Sequence, residues 1–291
     1  MKKLTNHIIF ILVMTTLTSG CQKIVDDVTP PQIESQLVVF SFLSPDEDFI
    51  KVEVSVSRPV FGKIRSRGGV DYVKNASVVI TDDAGVSATL LFNDSFENYW
   101  INQSSYPILP GKKYTVTVLA NGKAVSGSCI VPQSKVVFNE VSYKDLTNNG
   151  SPNSFGPYYI YTYNWNDEPS VKNYYRVSIE KTYEYTFMND TQSYTNEVCN
   201  SLRDDSNKEG AQLAGSCEDY SYYFNEADTT GEEVFVTLLN TDIHYFEYHK
   251  RRINYSSDDP FSEPNQQYNN VQGGYGVVCA YRKSRTTLLI K

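Results

Sequence analysis

Histidine is scarce in this sequence, which limits the chemistry that the chain can carry. Only three of its 291 residues are histidine, and His7 lies in the N-terminal segment. His244 and His249 are five positions apart, whereas a zinc site on one helix needs histidines four apart. Five steps turn a helix through about 500°, so these two side chains diverge by about 140°. The sequence therefore predicts no metal site, and we expect no cofactor.

Basic residues are also in short supply. Lysine and arginine number 26 against 34 aspartates and glutamates, which gives a formal net charge of −8. Nucleic-acid binding depends on clusters of basic side chains against phosphate, so this balance argues against a nucleic-acid partner. It argues equally against attachment to anionic lipid by charge. Contact with a membrane would therefore have to come through a covalent lipid.

Motifs of known catalytic sites are missing. There is no Gly-x-Ser-x-Gly nucleophile motif and no glycine-rich phosphate loop before a helix. The acidic pairs lack the loop spacing of a calcium-binding EF-hand and are interpreted as solvated loop charge; they are Asp82-Asp83, Asp204-Asp205 and Asp258-Asp259. A pair of carboxylates for glycoside hydrolysis stays an alternative, because their separation is a spatial property. We predict a protein that is not an enzyme.

A hydrophobic run long enough to span a membrane is not seen at the N-terminus. The apolar stretch at residues 8–14 is far shorter than the roughly 20 residues of a spanning helix. It follows two lysines and precedes small residues, which is the arrangement of a secretory signal peptide, here over residues 1–20. The segment from Leu17 to Cys21 resembles the bacterial lipobox, in which the cysteine is acylated. Cys21 is therefore the predicted site of lipid attachment, and residues 21–35 are predicted to be a lipid anchor and flexible tether.

Few cysteines remain after Cys21, namely Cys129, Cys199, Cys217 and Cys279. Four cysteines in an exported chain allow three disulfide pairings. Cys199 and Cys217 bracket a polar stretch that a bridge would stabilise, and a Cys199–Cys217 disulfide is therefore a hypothesis. The other two lie in apolar, strand-like surroundings, which favours buried free thiols.

The sequence does have apolar residues at every second position, the pattern of β-strands. Residues 52–56 and 114–118 both show this alternation. Asn121-Gly122 is a strong hairpin-turn signal. Short strands at this spacing predict a β-sandwich of immunoglobulin or fibronectin-III type over residues 36–132.

Tyrosine is abundant in the second half, where residues 134–291 hold 19 of the 23 tyrosines. Tyrosine alternating with small polar residues favours strands, so we expect a larger, tyrosine-rich β domain over residues 133–291. One helix is predicted near residues 241–254, capped by Thr241 or Asn240. Most tyrosines are expected to pack on sheet faces; those beside loops are the candidates for an exposed recognition surface, and they are Tyr158, Tyr222 and Tyr223.

Within this second half the pattern also sets strand and loop boundaries. Strands are predicted at 158–165, 172–180, 183–188 and 233–238, with a short final strand at 277–281. The acidic stretch at 203–209 is interpreted as a loop. The glycines of Gly273-Gly274-Tyr275-Gly276 predict a bulge or a close approach of two backbones.

Several motifs resemble those of one bacterial family. They are Lys74-Asn75-Ala76-Ser77-Val78, Pro110-Gly111-Lys112-Lys113-Tyr114, Pro260-Phe261-Ser262-Glu263-Pro264 and Asn269-Asn270-Val271-Gln272-Gly273-Gly274-Tyr275-Gly276. Together with the lipobox they resemble the DUF4249 family of Gram-negative outer-membrane lipoproteins. The resemblance implies an outer-membrane location and a role beside TonB-dependent receptors. The family's function is unknown, so Cys21 is the only functional residue that the resemblance supplies.

The expected protein is a lipid-anchored, non-catalytic binding or accessory component of mainly β fold, acting in nutrient uptake. Its ligand would be a glycan or a peptide. The alternatives are a glycan hydrolase with a carboxylate pair and a structural or adhesive envelope protein. Asp26-Asp27 resembles the acidic signals of surface lipoproteins, and the choice between the periplasmic and the outer face stays open.

Overall fold

The computed structural model describes residues 34–58, 69–147, 158–187, 190–206, 208–220, 232–253 and 267–290. Ser35–Arg58 and the described residues of Ser66–Lys291 form one compact unit. Outside the described residues lie the predicted signal peptide, Cys21, Tyr222, Tyr223 and Asp258-Asp259. No helix among the described residues is both long and apolar enough to cross a bilayer.

The described residues form β-strands and one helix. The strands are β1 (Leu37–Leu43), β2 (Phe49–Val56), β3 (Ser77–Asp82), β4 (Ser87–Asn93), β5 (Asn98–Asn102), β6 (Lys113–Ala120), β7 (Lys123–Ile130), β8 (Phe138–Asp145), β9 (Tyr158–Asn166), β10 (Tyr174–Phe187), β11 (Asp190–Asp204), β12 (Gln212–Tyr220), β13 (Glu232–Thr241), β14 (Val271–Gln272) and β15 (Tyr275–Ile290); the helix is α1 (Ile243–Ile253). The prediction of a mainly β fold is confirmed, and its sheets fit a β-sandwich.

The first half of the chain folds as its period-two pattern predicts. Val52 and Val54 on β2 are buried, and the residue between them, Glu53, points to the other face. The core includes Val78 on β3 and Val118 on β6. β4 passes from the sheet that contains β3 into the sheet that contains β5, because its first half pairs with β3 and its second half with β5. Strands that switch sheets in this way close the edge of a sandwich.

The last strand links the two halves of the fold. Tyr275–Ala280 of β15 lies parallel to β1, and Tyr281–Ile290 lies antiparallel to β13. The predicted final strand at 277–281 was therefore too short, because residues 282–287 are all polar and none is buried, so no alternation marks them as a strand. The boundary between predicted domains at residue 132 stays a prediction.

A second sandwich places β11, β10, β13 and the end of β15 opposite β12, β9 and β8. Its core is built largely from tyrosine, with Tyr161, Tyr163 and Tyr175 buried around Trp165. Tyr158, which we predicted to be exposed, is also buried, because its ring stacks on Tyr220 at 4.5 Å between centroids. For Tyr158 the expectation of a recognition surface was wrong.

The full lengths of two strands in this half were not predicted, because their sequences are largely polar. The predicted loop at 203–209 begins inside β11, which runs to Asp204, and the predicted strands at 172–180 and 183–188 are one strand, β10. β11 pairs with β10 along its whole length, so its backbone groups are satisfied although its side chains are mostly solvated. An alternating sequence pattern indicates a strand only where every second side chain is buried. Few side chains of this edge strand are buried.

Cys199 on β11 and Cys217 on β12 are joined by a disulfide, while Cys129 and Cys279 are buried free thiols. Because β11 and β12 belong to opposite sheets, this bridge ties the second sandwich together across its core.

Removing the disulfide should destabilise the protein measurably. We expect the double variant Cys199→Ser/Cys217→Ser to lose about 3 kcal/mol of unfolding free energy, since a closed loop of this length restricts the unfolded chain by roughly that amount. Urea unfolding of both proteins, with and without reductant, measures this. Reductant should shift the wild-type midpoint and leave the double variant unchanged; a wild-type midpoint that ignores reductant contradicts the bridge.

Candidate functional site

The helix α1 organises the candidate site. Asp242 precedes the helix and its Oδ1 accepts a hydrogen bond from the Tyr245 backbone N–H at 2.8 Å, so Asp242 is the N-cap. The predicted caps, Thr241 and Asn240, were wrong, because their side chains are used elsewhere. Thr241 donates to the Tyr174 carbonyl and Asn240 to the Ser134 carbonyl, each in the chain before the helix.

The N-cap carboxyl is deeply buried. Burial raises the pKa of Asp242 to about 7, although backbone N–H groups at the helix start act in the opposite direction. The neighbouring thiols of Cys129 and Cys279 are buried as well, and burial raises the pKa of each. A carboxyl in this position is therefore an unusual cap, whose charge changes near neutral pH.

Aromatic side chains fix α1 to the outer face of β1 and β15. Tyr248 packs against Phe40 at 5.8 Å between ring centroids, and Tyr245 packs edge-on against Phe42 at 5.9 Å. Cys279 of β15 lies in the same cluster. The helix thus covers the middle of the β1–β15 pair and leaves a cleft along each side.

The two helix histidines have different partners. His244 Nδ1 lies 2.5 Å from the Tyr268 hydroxyl. His249 packs on the Tyr245 ring, with centroids 4.3 Å apart. Burial, with the positive charges of Arg176 and Arg252 nearby, lowers the pKa of His249 to about 4, so its ring is neutral at physiological pH. These rings act as packing and hydrogen-bonding groups in the helix surface.

One cleft beside α1 is lined chiefly by aromatic rings, and we call it the aromatic cleft. Its volume is about 640 Å³, which is in the range of pockets that hold small ligands. The side chains that give it its chemistry are Phe40, Tyr248, Arg252, Tyr268, Asn269 and Tyr275. None of the described residues that line it is a carboxylate or a histidine.

Glycines build one wall of the aromatic cleft. Gly276 has φ of +121°, and a Cβ there would lie 1.9 Å from the Val39 carbonyl oxygen. A Cβ on Gly274 would lie 2.5 Å from the Leu37 carbonyl oxygen. The predicted close approach of two backbones is confirmed. It presents Tyr275 at the cleft with 53% of its surface exposed.

Asn270 locks this wall in place. Its amide donates to the carbonyls of Ser128 and Val278, at 3.1 and 2.7 Å, and its oxygen accepts from the Val278 N–H at 2.9 Å. One side chain thereby joins β7, the turn and β15. The wall is rigid because every polar group of Asn270 named here is satisfied by backbone.

Cationic side chains hold the opposite rings. The Arg252 guanidinium donates to the Tyr248 hydroxyl at 3.1 Å and lies 5.7 Å from the centre of that ring. Arg251 lies 5.6 Å from the centre of the Tyr268 ring. An arginine has five N–H donors, and one of those of Arg252 is used in this contact with Tyr248. The Arg252 side chain also lines the cleft. Ring faces beside a guanidinium suit a ligand with an apolar face and polar or anionic groups.

A second cleft, of about 410 Å³, carries acidic groups; we call it the acidic cleft. Glu47 in it accepts a hydrogen bond from Tyr281 at 2.9 Å and pairs with Lys283. Burial raises the pKa of Glu53, which lines the same cleft. Carboxylates of the kind that the hydrolase alternative requires line this cleft, and Glu180 and Glu197 line the cleft on the other side of α1.

The acidic pairs singled out by the sequence differ from each other in the structure. Asp205 is only 2% exposed and its carboxylate pairs with Lys172 and accepts from the Asn173 N–H, so the interpretation as solvated charge was wrong for Asp205. Asp82 accepts from two N–H groups of its own turn and pairs with Lys112 at 2.9 Å, whereas Asp83 is about half exposed. These carboxylates organise loops.

Asp205 also belongs to a cluster of three acidic groups. One ligand atom each from Asp167, Asp205 and Glu209 lies within 4.8 Å of the others. Asp167 accepts from the Tyr175 hydroxyl at 2.7 Å and from the Gly210 N–H at 2.8 Å. The contacts of the cluster connect the chain before β10 with the chain between β11 and β12, which is a structural role.

The fold defines the class first: the described residues make a mainly β, sandwich-type protein with one helix laid on a sheet face. The family follows from the sequence. A family model described as "Domain of unknown function (DUF4249)" matches residues 24–287, so the chain belongs to the DUF4249 family. No curated protein matches the chain.

A solved structure titled "Biofilm associated protein - BSP domain" is similar over 86% of this chain, with 8% sequence identity and a TM-score of 0.17. This chain spans 58% of the length of that one. A likeness at this level supports no argument about function.

Proposed function

We propose that this chain is an outer-membrane lipoprotein, anchored through a lipid on Cys21, that binds a glycan or peptide in the aromatic cleft. It would act without catalysis, beside a TonB-dependent receptor in nutrient uptake. The observation that carries the proposal is the aromatic cleft itself, in which rings from β1, α1 and the Gly273–Gly276 wall converge around Arg252.

The chemistry of the aromatic cleft favours binding over catalysis. Glycoside hydrolysis needs two carboxylates at the reacting bond, and the described lining residues include none. Tyrosine rings offer large contact area with little loss of side-chain entropy, and Arg252 supplies polar specificity. The site is therefore suited to holding a ligand unchanged.

A lipid anchor would make even weak binding effective. Confinement to one membrane surface raises the effective concentration of the protein for a neighbouring receptor. Cys21 supplies that anchor in the proposal, and the tether at residues 21–35 would let the sandwich domains reach the receptor. A modest affinity in the aromatic cleft would then be sufficient for capture and hand-over.

Photo-crosslinking in cells tests the receptor part of the proposal. A photoreactive phenylalanine analogue is placed at Tyr275 in the aromatic cleft and, as the matched control, at Leu91 on β4, which is 71% exposed. Mass spectrometry should recover a TonB-dependent receptor from the first site and not from the second. Recovery from both sites, or from neither, argues against a receptor at this cleft.

Substitution in the cleft tests the ligand part. We expect Tyr275→Ala to weaken binding to glycans or peptides found by array screening about fivefold, since one aromatic contact contributes about 1 kcal/mol. Leu91→Ala should leave the affinity unchanged. Hydrolysis of the bound glycan, lost on Glu53→Gln in the acidic cleft, would favour the hydrolase instead, and no ligand at all would favour the structural protein.

A further inference from the structure

A lysine and an aspartate face each other inside the second sandwich. Lys181 on β10 has 0% of its surface exposed and Asp219 on β12 has 4%. Lys181 Nζ lies 3.5 Å from Asp219 Oδ2. The two strands belong to opposite sheets, so the pair spans the core.

The surroundings of this pair are aromatic. The Tyr161 hydroxyl donates to Asp219 Oδ2 at 3.3 Å. Lys181 Nζ lies 4.9 Å from the centre of the Tyr159 ring. Burying two opposite charges in such a place is expensive, because the desolvation of both ions offsets much of their attraction. A reaction that removes both charges would relieve that penalty.

The disulfide lies directly beside the pair. Cys217 is two residues before Asp219 on the same face of β12, and Cys199 pairs in register with Ile179, two residues before Lys181. The bridged Cα atoms are 6.2 Å apart. The bridge therefore fixes β12 against β11, the strand paired with β10, close to Lys181 and Asp219.

We propose that Lys181 and Asp219 condense to form an intramolecular isopeptide bond. The ammonium first gives a proton to the carboxylate, which leaves an amine and a carboxylic acid. Nζ attacks Cγ, the Nζ–Cγ bond forms, one Cγ–O bond breaks, and that oxygen leaves as water with the second proton from Nζ. No oxidant, reductant or other reactant is required.

The geometry supplies what this condensation needs. The amine and the carboxyl are held in contact by two rigid sheets, which converts a reaction between two molecules into one within a fixed site. The Tyr161 hydroxyl is placed to stabilise the oxygen on which negative charge develops. The buried site excludes the water that would hydrolyse the product.

The product would be a second covalent link across the same core. It would join β10 to β12, while the disulfide joins β11 to β12. The isopeptide bond would persist under reducing conditions, which would break the disulfide.

Peptide mapping of the full-length protein, extracted from membranes, tests the proposal. After reduction, alkylation and trypsin digestion, we expect one branched peptide that contains residues 177–203 and 209–250, lighter by one water than their sum. Reduction removes the Cys199–Cys217 link, so only the isopeptide bond can hold these segments together. Trypsin should not cut after Lys181, since its amine is acylated.

Two variants serve as controls. Lys181→Arg keeps the positive charge but offers no condensing amine, and Asp219→Ala removes the carboxyl, so the branched peptide should disappear in both. The wild-type digest decides the matter even if a variant fails to fold. Complete cleavage after Lys181 in the wild type, with both segments at their full sequence masses, overturns the proposal.

Discussion

Gly276→Ala should destabilise the protein by about 4 kcal/mol or more, or prevent its folding. A Cβ at this position would lie 1.9 Å from the carbonyl oxygen, 2.7 Å from the carbonyl carbon and 2.9 Å from the nitrogen of Val39. These are backbone atoms of β1, which is paired on both sides and has no room to move. Backbone strain at positive φ adds about 1–3 kcal/mol, and overpacking a core adds a similar amount. Urea unfolding of the purified variant measures the loss.

Gly122→Ala is the matched control. Gly122 also has positive φ, +70°, but nothing lies within 4 Å of a Cβ there. This variant should lose only the cost of positive φ, roughly 1–2 kcal/mol. The difference between the two variants isolates the collision with β1. Equal losses would show that the close approach at Gly276 contributes little.

The sequence predicted the first sandwich because its core positions recur every second residue. Val52, Val54 and Val118 are buried as that period requires. The glycines at 273–276 were also informative, since a run of glycine before a strand indicates close backbones. Both signals are local, and both concern positions where the side chain, or its absence, decides the structure.

Pairing between strands that are distant in the sequence could not be predicted from local patterns. The parallel contact between β1 and β15 joins residues more than 230 positions apart in the sequence, such as Val38 and Tyr275. Neither strand carries a pattern that names its partner. β11 escaped prediction for another reason, because an edge strand with solvated side chains shows no alternation of burial.

The aromatic cleft was missed in part for the same reason. Phe40, Tyr248 and Tyr275 come from three distant segments. Composition indicated a recognition surface made of tyrosine. Tyr158 was selected because it lies beside a predicted loop, yet its ring is buried in a stack. The motif that ends at Gly276 was the best local indication, because it contains the exposed Tyr275.

Asp242 gives the second large effect, and it depends on pH. We expect the contribution of Asp242 to the unfolding free energy of the wild type to fall by roughly 2.5 kcal/mol between pH 5 and pH 8. Its pKa is raised to about 7 in the folded protein by burial. The unfolded chain releases this proton near pH 4, whereas the folded chain keeps it until about pH 7. The folded state therefore binds more protons in this interval, and stability falls as pH rises through it.

Asp242→Asn should remove this contribution while keeping the cap. The Asn side-chain oxygen can still accept the bond from the Tyr245 N–H, and the amide carries no charge. The measurement is the difference between wild-type and variant unfolding free energies at pH 5, 6, 7 and 8. Burial lowers the pKa values of His244 and His249, so their contributions to the pH dependence have the opposite sign. These contributions are the same in both proteins and cancel in the difference.

Asp82→Asn supplies the contrast that makes this result specific. Asp82 also accepts hydrogen bonds from N–H groups, but the Lys112 ion pair and those bonds lower its pKa. A carboxyl of that kind contributes stability that is lost only at acid pH, so its difference curve should be flat from pH 5 to pH 8. A flat curve for Asp242→Asn as well would mean that the carboxyl at the start of α1 is ionised throughout. The helix start would then stabilise the charge more strongly than burial opposes it.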